Sequence, residues 1–178
     1  MMELELAGLA AKMHEAMVQA GMWGEGHDDT MARERVHNAL CEAYAEYEEE
    51  MPPLYVLGEN EDGELYPATD EALFKMGKPV YGVFAELADA VLKMADILAA
   101  HEESTLIKVS GKGIAHFALP MLVEVMRMHV CKSAGQGCDH HLRKAAGMAL
   151  GWIIARGGDP VQALQLRLAE HMERMGRA

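Results

Sequence analysis

Two short acidic pairs hold most of the chemistry this sequence can offer. Glu46 and Glu49 stand three residues apart in one stretch of helical periodicity, and Glu86 and Asp89 stand three apart in another. Residues three or four apart share a helix face, so each pair projects together, with Glu42 one turn before Glu46. Paired carboxylates on one face can grip a hard cation such as Mg²⁺ or Mn²⁺, which takes oxygen ligands. Around the second stretch, Glu86, Asp89, Lys93 and Asp96 fall within an arc of roughly 80°, whereas Leu87, Val91, Met94 and Leu98 lie about 150° away. Ala88, Leu92, Ala95 and Ala99 are apolar too, so neighbours can cover much of this helix, and covered carboxylates need compensating cations. Acidic pairs are also common on solvated helix faces, and spacing alone leaves both readings open.

The elements that would position these pairs read as helices. Apolar residues recur at helical spacing along most of the chain, β-branched runs are short, and Gly and Pro fall at a few breaks. A first helix is expected over about residues 2–20, broken by Gly21, Gly24 and Gly26 around Trp23. A second, capped by Asp28, Asp29 or Thr30, runs to about Glu50 and stops before Pro52-Pro53. Residues 52–78, with Gly58, Asp62-Gly63 and Pro67, read as a loop insertion containing at most a short helix over Thr69 to Met76. Helices are then expected from about Val80 to His101, Ile114 to Lys132 and His140 to Ala155, with a turn around Ser110-Gly111-Lys112-Gly113. A final helix starts at Pro160, a favoured first-turn residue. The fold class is all-α, a helical bundle in a single domain over residues 1–178.

Composition narrows the partners. The chain has 178 residues, half of them apolar, enough to bury a core without staples. Its 28 acidic against 16 basic residues give a formal charge of −12, which argues against nucleic acid and anionic membranes as partners. Met1-Met2-Glu3-Leu4-Glu5 has neither a basic n-region nor an apolar core, and no stretch approaches the roughly 18 uncharged apolar residues of a span. A cytoplasmic protein with reduced thiols at Cys41, Cys131 and Cys138 is expected, since three cysteines form no even framework.

The segment from Gly77-Lys78-Pro79 through Glu86-Leu87-Ala88-Asp89 to Lys93 and Asp96 resembles the signature of the MazG-like all-α nucleoside triphosphate pyrophosphohydrolases. That signature has a Gly-Lys-Pro turn, then Glu-Leu-Ala-Asp, a basic residue and a further Asp. Gly21-Met22-Trp23 resembles the family's Gly-Phe-Trp turn, and Asn38 to Glu50 resembles the helix that ends in its Glu-x-x-Glu pair, matched best by Glu46 and Glu49. Arg167, His171 and Arg174 occupy the places of a basic residue, an Asn and an Arg in the family's closing helix. This chain departs in having His171, in lacking an acidic residue after Pro79, and in the longer span between its pairs. Glu42 competes with Glu49 as the partner of Glu46, and the count from Ala39-Leu40 ranks Glu49 higher.

The resemblance implies a four-helix core with extra C-terminal helices and Mg²⁺-dependent hydrolysis between the α- and β-phosphates of a nucleoside triphosphate, releasing a monophosphate and pyrophosphate. Glu46, Glu49, Glu86 and Asp89 would hold Mg²⁺, with Mn²⁺ as an alternate. Lys93, Lys78 and Arg174 are candidates for phosphate, and Trp23 for stacking on a base, although an indole at a turn is more often a packing anchor. Homodimers or homotetramers are usual in the family. A housekeeping role in the nucleotide pool follows from the same resemblance.

Other clusters are weaker. Cys131, Cys138, His140 and His141 match no closed zinc knuckle. A di-iron centre would need two Glu-x-x-His motifs, and only Glu34 to His37 fits. Gly111-Lys112-Gly113 lacks the rest of a phosphate-binding loop. The alternative to an enzyme is a non-catalytic helical interaction or nucleotide-binding module with acidic faces.

Overall fold

The computed structural model describes residues 2–24, 29–50, 57–59, 65–67, 82–110, 124, 127, 137, 139–155 and 157–176, with side chains except at 48–50, 57–59 and 65–67. Five helices are found among them: α1 (Ala7–Gln19), α2 (Asp29–Glu50), α3 (Val83–Ala100), α4 (Asp139–Ala155) and α5 (Pro160–Gly176). The four described strands have three residues each: β1 (Glu3–Glu5), β2 (Leu57–Glu59), β3 (Leu65–Pro67) and β4 (Leu106–Lys108). The architecture is an all-α bundle, as expected.

Helix α3 is the hub, packing against each of the other four. Its sequence explains this, because Val83, Leu87, Val91, Met94 and Leu98 together with Phe84, Ala88, Leu92 and Ala95 leave almost no polar side, and a helix apolar all round belongs inside. Around it Met13, Val36, Leu40, Leu142, Leu150, Ile153 and Leu164 complete the core, with Trp152 edge-on to both Phe84 and Tyr47. The two aspartates on its polar stripe, Asp89 and Asp96, are buried with the rest.

The helix expected over residues 2–20 begins later than its pattern suggested. Glu3–Glu5 instead forms an antiparallel ladder with Leu106–Lys108, Leu4 facing Ile107. Leu4 fits either a helical or an alternating period, and the pairing strand lies some hundred residues away, so only tertiary contact decides between them. Within the expected insertion, Leu57–Glu59 pairs antiparallel with Leu65–Pro67. Most of the helix expected from Ile114 to Lys132 lies outside the described residues, though Glu124 and Arg127 are helical.

Local signals set the orientation of α5, which matters for the site. Helix α4 ends with Gly157 at φ 82°, and the amides of Gly157 and Gly158 return to the carbonyls of Ile154 and Ile153. Two residues on, the Asp159 carboxylate accepts hydrogen bonds from the amides of Val161 and Gln162 at 2.9 and 3.2 Å, capping α5 just before Pro160. This tight reversal folds α5 back along α3.

Candidate functional site

Three helices bring their charged side chains to one place. Helix α2 supplies Glu42, α3 supplies Glu86 and Asp89, and one ligand oxygen from each carboxylate lies within 4.8 Å of the others. Burial is graded across the group, from exposed Glu42 through half-buried Glu86 to buried Asp89. From α5, Arg167 and His171 share a face one turn apart and meet the α3 carboxylates. The Arg167 guanidinium reaches Glu86 at 3.2 Å and donates to Glu170 at 2.9 Å, while His171 Nε2 bonds Asp89 Oδ1 through a short contact. Lys93 Nζ donates to Asp89 Oδ2 at 2.6 Å from the next turn of α3.

The electrostatics follow from these partners. Burial pushes the Asp89 carboxyl up, but the His171 hydrogen bond and the Lys93 charge outweigh it and bring its pKa down to about 2. Glu86 moves the other way: burial raises its pKa, the neighbouring Asp89 and Glu42 charges add to the effect, and Arg167 only partly opposes them. Burial disfavours the Arg167 cation, yet Asp89 and Glu86 hold it firmly protonated. Its Nε has no hydrogen-bond partner and stands 3.7 Å from Asp89 Oδ1, so one buried donor faces the group unsatisfied.

The donor set suits a hard divalent cation. Three carboxylates converge here, with the Lys93 ammonium and the His171 ring at Asp89 and the Arg167 guanidinium at Glu86. The carboxylate oxygens come from separate helices, and Glu42 opens the group to water, which a six-coordinate Mg²⁺ would retain in part. Among the described residues no other group of three such ligands is found.

The remaining expected residues divide by position. Glu46, one turn beyond Glu42, is half-buried and stands outside the group of three. The ranking of α2 ligands by sequence thus differs from the geometry: which turn of α2 faces Glu86 depends on how the helices cross, and that turn carries Glu42. The Glu49 side chain and Lys78 lie outside the described residues, as do Cys131 and Cys138. Lys93 is at the site. Arg174, largely exposed, reaches Glu170 at 3.9 Å and so stands at the rim.

Trp23 acts as an anchor. Its indole N–H donates to both oxygens of Asp96, at 2.9 and 3.0 Å, and its ring meets His14 edge-on at 5.6 Å while packing against the core. Asp96 lies two turns beyond Asp89, about 10 Å along the helix. The indole is therefore committed to α3 and not to the acidic group.

Sequence reasoning placed Arg167 and His171 only through the family pattern and did not foresee their contact with Glu86 and Asp89. Their four-residue spacing on an amphipathic helix was a usable signal, but the pairing spans more than eighty residues. His101 was also missed; it ties Asp29 to Asp139 through its two ring nitrogens, each at 2.7 Å. Comparison with protein-family models, with curated proteins and with solved structures gave no match.

Proposed function

We propose that the chain is a Mg²⁺-dependent nucleoside triphosphate pyrophosphohydrolase that cleaves between the α- and β-phosphates. The observation that carries this reading is the convergence of Glu42, Glu86 and Asp89 from two helices, with Arg167 and His171 from a third alongside. Glu42, Glu86 and Asp89 would hold Mg²⁺, or Mn²⁺ in its place, and Glu46 or Glu49 could join them from further along α2. When bound, the ion supplies charge neutralisation for the triphosphate and a lowered pKa for a coordinated water.

The protein's own groups divide the remaining work. Asp89, ionised far below neutral pH, presents a fixed anion at the base of the site. Glu86, half-buried between Asp89 and the water-facing Glu42, would orient an attacking water. Lys93 and His171 at Asp89 and Arg167 at Glu86 would turn to phosphate oxygens as charge builds there. No covalent nucleophile is required, since phosphoryl transfer needs mainly positioning and charge stabilisation. Lys78 and Arg174 are further candidates for phosphate, and a homodimer or homotetramer in the cytoplasm fits the family expectation. Among the described residues no helix is long and apolar enough to cross a membrane.

A second reading has its own support. Both Asp89 oxygens are already engaged, by Lys93 and by His171, as in a closed structural ion network of a non-catalytic interaction module. Pyrophosphate release, measured across standard and modified (deoxy)nucleoside triphosphates with Mg²⁺ and with a chelator, separates the two. The enzyme reading expects release only with the metal, and a fall of at least about a hundredfold in Glu86→Gln. No release from any nucleotide would leave the interaction module standing.

A further inference from the structure

On another part of the surface, the end of β4 and the first turns of α4 enclose a cleft of about 390 Å³, within the range of small-molecule sites. Among the described residues its walls carry Lys108, Arg143, Lys144 and His140, with Leu106 and Met148 as the apolar part, and no carboxylate. That composition is unexpected for a chain with a formal charge of −12. Lys144 pairs with Glu124 at 3.2 Å and Arg143 with Glu103 at 3.5 Å, and neither carboxylate belongs to the lining. Lys108 has no ion pair among the described residues. The start of α4 also presents the positive end of its dipole on this side.

The two walls are fixed relative to each other. A Cβ on Gly147 would come within 2.2 Å of the Lys108 carbonyl oxygen, and one on Gly151 within 2.2 Å of the Ser110 carbonyl oxygen. Only glycine at both positions lets the strand backbone lie on the helix, and the Ser110 amide then donates to the Gly147 carbonyl at 3.0 Å. Ile107, fully buried, pins the strand to the core between them. The cleft is therefore preformed, which lowers the ordering cost of a ligand.

We propose that this cleft binds a small organic anion, a carboxylate or phosphate head carried on an apolar body. The head would lie among Lys108, Arg143 and Lys144, and the body against Leu106 and Met148. Binding here does not depend on hydrolysis at the acidic group, so the two readings fail separately.

Titration calorimetry of the full chain with octyl phosphate, octanoate and inorganic phosphate tests the proposal. Saturable 1:1 binding of octyl phosphate or octanoate is expected, and the tighter of the two identifies the head. Lys108→Glu and Arg143→Glu should each weaken it at least about tenfold, with thermal melting confirming that the variants fold. Raising the salt from about 0.05 to about 0.5 M should weaken it as well. Absence of saturable binding, indifference to both charge reversals in folded variants, or inorganic phosphate binding as tightly as octyl phosphate would each overturn it.

Discussion

Helix α3 carries two buried aspartates on one stripe, two turns apart, and they are held in opposite ways. Asp89 and Asp96 are 2 % and 1 % exposed, so desolvation acts on both to a similar degree. Asp89 is met by Lys93, by His171 and more distantly by Arg167, and its pKa falls to about 2. Asp96 is met by an indole N–H and by His14, and burial prevails, so its pKa is raised. At similar exposure, the partners decide in which direction a buried carboxylate's pKa moves. One end of α3 thereby keeps a permanent anion beside two more carboxylates, while the other end uses its carboxyl to tie α1 and Trp23 to the hub.

Substituting each aspartate by its isosteric amide should show the largest difference. Asp89→Asn leaves the Lys93 ammonium without its carboxylate while Arg167 keeps Glu86 and Glu170, and it should cost about 3 kcal/mol in urea unfolding. Asp96→Asn keeps an oxygen for the Trp23 indole and should cost about 1 kcal/mol. Equal losses would break the distinction between an ionic site and a structural tie.

Acid unfolding sharpens the same contrast. The Asp89 pKa is lowered from 3.8 to about 2 on folding, so its contribution is present above pH 3.8 and lost as the pH falls through the folded value. That contribution amounts to about 2 kcal/mol. Asp96 has the opposite sign: its raised pKa favours the folded state at low pH and costs stability once the pH rises through the folded value. Asp89→Asn should therefore flatten the stability curve between about pH 4 and pH 2, and Asp96→Asn should not. A retained acid limb in Asp89→Asn, followed by circular dichroism, would place the titrating group elsewhere.

The smallest effect belongs to the clasp at the far end of α3. Burial lowers the His101 pKa, but the Asp139 hydrogen bond and the Asp29 charge prevail and raise it above 6.5. Both ring nitrogens meet carboxylates, an arrangement that requires the doubly protonated ring. Its stabilisation is present in full below pH 6.5 and lost as the pH rises through the folded value. His101→Gln should remove that alkaline decline, worth about 1 kcal/mol, and leave the acid limb untouched.

The helices around α3 were legible because each has an uninterrupted apolar period and explicit stops, such as Gly157-Gly158-Asp159-Pro160 before α5. Leu4 was not, since a three-residue strand has too little pattern to oppose a helical reading and its ladder partner is remote. At the candidate site, the α3 spacing identified Glu86 and Asp89 correctly as neighbours on one face. It could not say which turn of α2 would face them, because the rotation of one helix against another is set by packing along its whole length. Glu42, expected only as a competitor of Glu49, is the α2 residue in the group of three, with Glu46 outside it and the Glu49 side chain outside the described residues. The contacts of Arg167 and His171 with Glu86 and Asp89 were not legible for the same reason, being purely tertiary.

The most direct test is a Mn²⁺ titration of the full chain, read by electron paramagnetic resonance, on the wild type and on Glu42→Gln, Glu86→Gln and Asp96→Asn. The expected result is one site in the wild type, weakened at least about tenfold in Glu42→Gln and Glu86→Gln and unchanged in Asp96→Asn. Absence of a site in the wild type, or equal binding in all four proteins, would contradict a metal centre at Glu42, Glu86 and Asp89.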